Sequence, residues 1–251
     1  MLQKISIIPL LLFLFISACK KEQDNPYIRP DAVIIGDYTN MLRHIYDSVI
    51  LYQGGIPASI DLDMDNDKIS DIRLISLMWG SVGLGHHPRS ELYCLTENAS
   101  ISGYYTSDTT FFSFDQSSYT GYDSTVNIDE YYRYSCHEMS DHDTIVNIES
   151  NSFKVLARKQ NDKVDQQDVF KTDSIIFMDE SYGFPPYYIY KQDTVIRKHL
   201  IYYNDCNTFP LNDVNYLAIR IINVNEIKLG WIKLSIIDNN KIILFETAIQ
   251  K

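Results

Sequence analysis

The chain has 251 residues, 45% of them hydrophobic and 22% charged, with 10 Gly, 8 Pro and 4 Cys. That composition excludes a collagen-like chain, a disulfide-dense miniprotein and a charged disordered tail. The net charge of −11 repels phosphate backbones and anionic headgroups, which argues against nucleic acid as a partner and calls for a covalent or apolar anchor in any membrane contact.

Residues Met1 to Cys19 begin with a single charge, Lys4, continue through an apolar stretch from Ile5 to Ile16 and end in Ser17-Ala18-Cys19. This is the layout of a signal peptide. The apolar stretch is too short for a hydrocarbon core that takes roughly 20 helical residues to span. Ile16-Ser17-Ala18-Cys19 resembles the lipobox of bacterial lipoproteins, cut before the cysteine once its thiol is diacylated. That resemblance implies a signal peptide over 1–18, acylation at Cys19 and a polar tether over 19–30, with the folded domain over 31–251. Several acyl chains satisfy the two-signal requirement for stable anchoring. Lys20-Lys21-Glu22 resembles part of the export pattern of Bacteroidetes lipoproteins, so the expected location is the outer membrane. The expectation leans to the cell surface, with the periplasmic face as the alternative.

From Asp31 onward the chain is written in short β-prone runs: Ala32 to Ile35, Ile72 to Met78, Glu91 to Leu95, Phe153 to Ala157 and Ser174 to Met178. They are rich in β-branched and aromatic residues and separated by turn formers. Asn40 to Leu51 fits a helix through Leu42, Ile45 and Val49, and equally fits a strand. Asn98 to Ser140, rich in Ser, Thr, Tyr and Asp, reads as long excursions between strands. Tyr216 to Ile222, Ile227 to Ile237 and Lys241 to Ile249 form a three-stranded antiparallel meander. Recurrent short strands without amphipathic helices predict an all-β fold, a single β-sandwich-like domain ending in that meander.

The strongest chemical signal is Ile60 to Ile72, which carries Asp61, Asp63, Asp65, Asp67 and Asp71. Carboxylates this dense repel one another unless a hard cation gathers their oxygens. Asp63, Asp65, Asp67 and Asp71 give DxDxDxxxD, which resembles the DxDxDGxxD calcium loop of dockerin-like and integrin-repeat proteins. By that resemblance Asp63, Asp65 and Asp67 supply side-chain oxygens, Ile69 a backbone carbonyl and Asp71 the closing carboxylate, around a structural calcium. Lys68 stands where that loop has Gly, at a position that calls for positive φ. A rival register recruits Asp61 in place of Asp71, and a solvated acidic turn without an ion is the plain alternative.

Beyond Cys19, three cysteines remain: Cys94, Cys136 and Cys206. An oxidising envelope permits one disulfide in any of three pairings, and three reduced thiols are the alternative. Cys136-His137 with His142, and His86-His87, lack the spacing of an established zinc site and read as loop residues. Tyr104-Tyr105, Tyr131-Tyr132-Tyr134 and Tyr187-Tyr188-Tyr190 offer flat faces with polar tips suited to a glycan platform, although tyrosines of this kind more often alternate across strands. Asp followed by Ser or Thr at Asp47, Asp108, Asp123, Asp143, Asp173 and Asp193 resembles the O-glycosylation sequon of Bacteroidetes envelope proteins, and is also a natural turn-to-strand junction.

Taken with Tyr216-Leu217, Gly230-Trp231-Ile232 and Thr247-Ala248, the lipobox and the aspartate loop make the chain resemble a family of Bacteroidetes envelope lipoproteins. The resemblance implies an envelope location and a β-sandwich and carries no activity to transfer. No nucleophile elbow, P-loop or dinucleotide fingerprint is present in the sequence. The expected function is therefore a non-catalytic, calcium-stabilised surface module that binds a glycan or protein partner or is structural. The alternative is a hydrolase of envelope or host polymers.

Overall fold

The computed structural model describes residues 31–53, 55–79, 87–120, 125–136, 144–177, 182–183, 187–191, 194–204, 206, 209–223, 226–238 and 241–251. These residues form eighteen β-strands, numbered β1 to β18 in chain order, and no helix. The signal segment, Cys19, the tether, His86, His137 and His142 lie outside the described residues.

The carboxy-terminal meander is the centre of the fold. It comprises β16 (Val214–Asn223), β17 (Glu226–Ile237) and β18 (Lys241–Gln250). β2 (Met41–Leu51) pairs antiparallel with β18, so the segment that fitted helix or strand is a strand. The base of β6 (Ala99–Thr120) pairs with β16 on the other side, giving a central layer ordered β6-β16-β17-β18-β2.

Strict alternation along these strands builds a core on each face. Leu217, Ile219 and Ile221 of β16 and Ile232, Leu234 and Ile236 of β17 point to one face. There they meet Leu62, Ile72, Leu74, Leu92 and Ile175 from a second sheet. That sheet is ordered β12 (Ser174–Ile176), β5 (His87–Cys94), β4 (Ile72–Trp79) and β3 (Ala58–Leu62). This is the β-sandwich-like pairing. Tyr216, Ala218, Leu229 and Trp231 point the opposite way, and Val33, Ile35 and Val164 cover them. The cover is a two-stranded ribbon of β1 (Ala32–Ile34) and β10 (Lys163–Asp165). Each fully buried Ile or Leu contributes about 1.5–3 kcal/mol through removal of apolar surface from water.

A bulge at Phe245 keeps the pattern in phase. Lys233 pairs with Glu246 and Leu234 with Leu244, leaving one extra residue on β18. As a result Ile242 and Leu244 before it, and Ile249 after it, reach the same core. β2 answers with a bulge of its own around Asp47, whose φ of 48° absorbs the extra residue.

Within Asn98 to Ser140, where long excursions are expected, the described residues are mostly strand. The 22-residue β6 leaves the core and forms a hairpin with β7 (Thr125–Ser135). Its high Tyr, Phe and Thr content outweighs the polar residues that suggested excursions. β8 (Thr144–Val155) lies on the other side of β6. Two short strands, β9 (Ala157–Arg158) and β11 (Phe170–Lys171), add to β16 and β6. β13 (Tyr182–Gly183) and β14 (Tyr187–Lys191) pair with β15 (Thr194–Asn204), which runs parallel to β7. The result is an arm of sheet continuous with the central layer through β6, a strand about 70 Å long at the usual rise per residue. Because β7 and β15 run parallel with Ser135 opposite Asn204, both leave the sheet at one end, and Cys136 and Cys206 meet there in a disulfide. That selects one of the three pairings and leaves Cys94 as a free thiol.

Candidate metal centre

The aspartate loop connects β3 to β4. Leu62, Met64, Ile72 and Leu74 are fully buried in the inter-sheet core, so the chain entering and leaving the loop is fixed by apolar packing. Between these anchors Asp63, Asp65 and Asp71 converge, with one carboxylate oxygen from each lying within 4.8 Å of the others. Asp71 is the deepest, only 4% exposed. Its Oδ2 accepts the Met64 N–H at 2.9 Å, and its backbone joins Leu62 and Leu95.

The loop is held in shape by its own backbone. The Lys68 N–H donates to Asp63 Oδ2 at 2.9 Å, and the Ile69 N–H donates to Asp67 Oδ1 at 2.7 Å. Asn66 and Lys68 adopt φ of 63° and 73°. Lys68 thus takes the left-handed conformation expected at the position where the repeat loop has Gly, at a cost of order 1 kcal/mol.

The sequence-derived ligands separate here. Asp63, Asp65 and Asp71 come together, whereas exposed Asp67 closes a local turn at the rim. Asp61, the rival, is engaged elsewhere, accepting from Arg73 Nε and Nη2 at 2.6 and 2.8 Å across the β3–β4 pair. The Arg73 guanidinium holds its carboxyl below the usual aspartate range.

Among the described residues, Asn223 and Lys228 also reach the site, and neither belongs to the loop. Asn223 Nδ2, at the end of β16, donates to Asp65 Oδ2 at 3.2 Å, and Lys228 Nζ of β17 lies 3.7 Å from the same oxygen. The strand pattern alone does not identify them, because the hairpin meets the loop only when the two sheets stack.

The electrostatics are those of crowded, partly buried carboxylates. Burial first, and the charges of Asp65, Asp67 and Asp63 after it, outweigh the Met64 N–H and leave the Asp71 carboxyl pushed up to about 6. Asp63 Oδ1 and Asp65 Oδ1 are buried with no hydrogen-bond partner among the described residues. The Asp65 side chain is only 5% exposed. Buried carboxylate oxygens left without donors cost free energy that a cation would recover. The donor set is all oxygen, which suits calcium or magnesium and not zinc.

A second group, Asp108 beside Cys136 and Cys206, has no free thiolate to offer, because the cysteines are bonded to each other. Asp108 is instead paired with Lys154 Nζ at 2.6 Å.

The tyrosine clusters divide across the arm. Tyr131 faces one side with Phe114, ring centroids 4.9 Å apart, while Tyr132 and Tyr134 stack on the other side at 5.9 Å. Tyr134 is 2% exposed. Tyr131, Tyr132 and Tyr134 therefore form no common platform, since neighbours along a strand point to opposite faces. Tyr104 and Tyr105 alternate in the same way, Tyr105 lying edge-on to Phe153. Tyr188 and Tyr190 do share a face, stacked at 6.5 Å and exposed. Of the Asp-Ser/Thr sites, Asp173 is a turn-to-strand junction whose Oδ1 accepts the Ser174 N–H at 2.8 Å. Asp47 sits at the bulge of β2, and Asp108 lies within β6.

Fold and site together define an all-β protein of stacked sheets, with a partly buried acidic cluster in the loop between β3 and β4. No family model, curated protein or solved structure matches the chain.

Proposed function

We propose that this chain is an outer-membrane lipoprotein anchored through Cys19, and that its β-sandwich-like domain is a non-catalytic, calcium-stabilised surface module with a binding or structural role. The observation that carries the calcium part is the pair of buried, unpartnered oxygens, Asp63 Oδ1 and Asp65 Oδ1, beside Asp71. These three carboxylates hold the ion, with the Ile69 carbonyl and water as further oxygen donors of the kind calcium takes. The ion's contribution is charge neutralisation at a buried cluster. The protein's contribution is a loop fixed by Met64 and Ile72.

The location rests on the lipobox-like Ile16-Ser17-Ala18-Cys19 and is supported by the Cys136–Cys206 disulfide, a bond that persists in oxidising compartments. The exposed Tyr188 and Tyr190 on the arm support contact with a glycan or protein partner, because Tyr combines an apolar face with a polar tip.

Thermal melts of the full chain in calcium and in chelator test the ion. Saturation a hundredfold above the dissociation constant raises stability by about 2.7 kcal/mol. An unchanged melting temperature together with no heat on calcium titration refutes it. Cell fractionation of Cys19→Ala tests the anchor. The variant is expected to leave the detergent-dependent membrane fraction, and retention there refutes lipidation at this residue.

A further inference from the structure

Asp65 belongs to the loop of the four-stranded sheet, yet among the described residues its Oδ2 is met from the central sheet, by Asn223 and Lys228 at the β16–β17 hairpin. Its Oδ1 has no partner among the described residues and is buried. One carboxylate thus has one oxygen turned to a resident cation and the other left for a second cation. Lys228 sits at 3.7 Å, beyond hydrogen-bond distance, so the contact is an ion pair and not a locked bond. Its ammonium has a second anion at hand, Glu226 Oε1 at 3.1 Å, on a side chain that is half exposed.

The charges match this arrangement. Asp63, Asp65 and Asp71 bring three negative charges, and Lys228 returns one positive. With Glu226 sharing the same ammonium at 3.1 Å, at least two negative charges remain, which a divalent ion offsets more fully than a monovalent one.

We infer that Lys228 is the built-in counter-cation of the acidic loop, holding Asp65 when the site is empty of metal and setting the affinity and charge preference of the ion that binds. This rests on the calcium reading of the loop. With the ion bound, the repelled ammonium leaves Asp65 and stays with Glu226, already its nearer anion at 3.1 Å, while Asn223 remains on Asp65 to keep the two sheets joined.

Calcium titration calorimetry on the full chain, alongside Lys228→Met, Lys228→Arg and, as an equal loss of charge on β15 of the arm, Lys198→Met, tests the inference. Removing a unit charge from beside a divalent ion in a partly solvated site tightens binding by about tenfold. Lys228→Met is expected to bind calcium about tenfold more tightly and to gain still more for terbium(III), read by its luminescence, because the cage then carries three uncompensated charges. In chelator the same variant is expected to melt below the parent chain. Lys228→Arg and Lys198→Met are expected to keep the parent affinity. If the parent chain binds neither ion, the calcium reading falls and the inference with it. If the parent binds calcium and Lys228→Met binds it no more tightly, the calcium reading stands and the role of Lys228 is overturned. Should Lys228→Met fail to fold in chelator, Lys228→Gln titrated from the calcium-loaded side gives the same comparison, and affinity equal to that of the parent again overturns it.

Discussion

At the scale of single residues, two positions show how narrowly the central sheet is specified. Gly230 of β17 lies against β18 so closely that a Cβ there would stand 2.2 Å from the Ala248 carbonyl oxygen and 2.8 Å from Ile249 Cα. Both neighbours are backbone and cannot swing aside. Gly230→Ala is therefore expected to destabilise the protein by about 1–3 kcal/mol, measured by urea unfolding, and a loss below about half a kcal/mol would show that the strands yield. Glu246 is the second case. It is buried, accepts the Tyr38 hydroxyl at 2.6 Å and pairs with the Arg43 guanidinium, which lies over the Tyr38 ring at 4.2 Å. Burial pushes its carboxyl up, but the hydrogen bonds from Tyr38 and Arg43 outweigh that push and hold it below the usual glutamate range. A carboxylate whose folded-state value is depressed stabilises fully above its unfolded-state value, and loses that stability as pH falls through the folded one. Glu246→Gln is expected to cost about 1–3 kcal/mol near neutrality and to flatten the acid limb of the stability profile. Equal pH dependence in the variant and the parent would remove Glu246 from that limb.

At the scale of elements, what the sequence reveals depends on how local the determinant is. The meander was readable almost to its ends because alternation, β-branching and Asn-rich turns are local signals, and β16, β17 and β18 fall within a few residues of the expected spans. The aspartate loop was readable because its spacing is local too, and Asp63, Asp65 and Asp71 do converge. Asp61 and Asp67 needed the structure to place them: Arg73 claims the first only after β3 and β4 pair in register, and a local turn claims the second. Asn223 and Lys228 lie more than 150 residues from the loop and meet it through sheet stacking, which leaves no mark in the sequence. The arm was misread for the opposite reason. Its Ser, Thr and Asp residues suggest loops, but Tyr and Phe supply the strand propensity, and Thr110, Ser113 and Asp129 are buried within the pairing. The paired bulges of β18 and β2 were likewise beyond reach, since each answers a shift in its neighbour.

At the scale of the whole molecule, β6 joins two regions of unequal support. Its base lies in a layer buried on both faces, with Ile101 fully inside the inter-sheet core. Its outer half pairs with β7, and the arm continues through β15 to the exposed Tyr188 and Tyr190 of β14. Local stability follows buried apolar contact, so opening of the arm is expected to take less free energy than opening of β16 to β18. The disulfide acts at the boundary. Cys136 and Cys206, separated by 70 residues, close a loop whose cross-link is worth about 4 kcal/mol in the chain-entropy account, and they hold the parallel β7–β15 pair at its inner end. Amide hydrogen exchange followed by mass spectrometry distinguishes the regions. In the oxidised protein, β14 and the outer half of β6 are expected to exchange first and β17 last. In Cys136→Ser with Cys206→Ser, protection of β7 and β15 is expected to fall at least tenfold, while β17, enclosed by Trp231 on one face and Ile232 and Leu234 on the other, keeps its order as the slowest strand. If β17 loses protection in step with β15, the arm and the sandwich unfold as one cooperative unit and the disulfide stabilises both. Unchanged protection in β7 and β15 would instead mean that their eleven-residue register holds the arm without the bond.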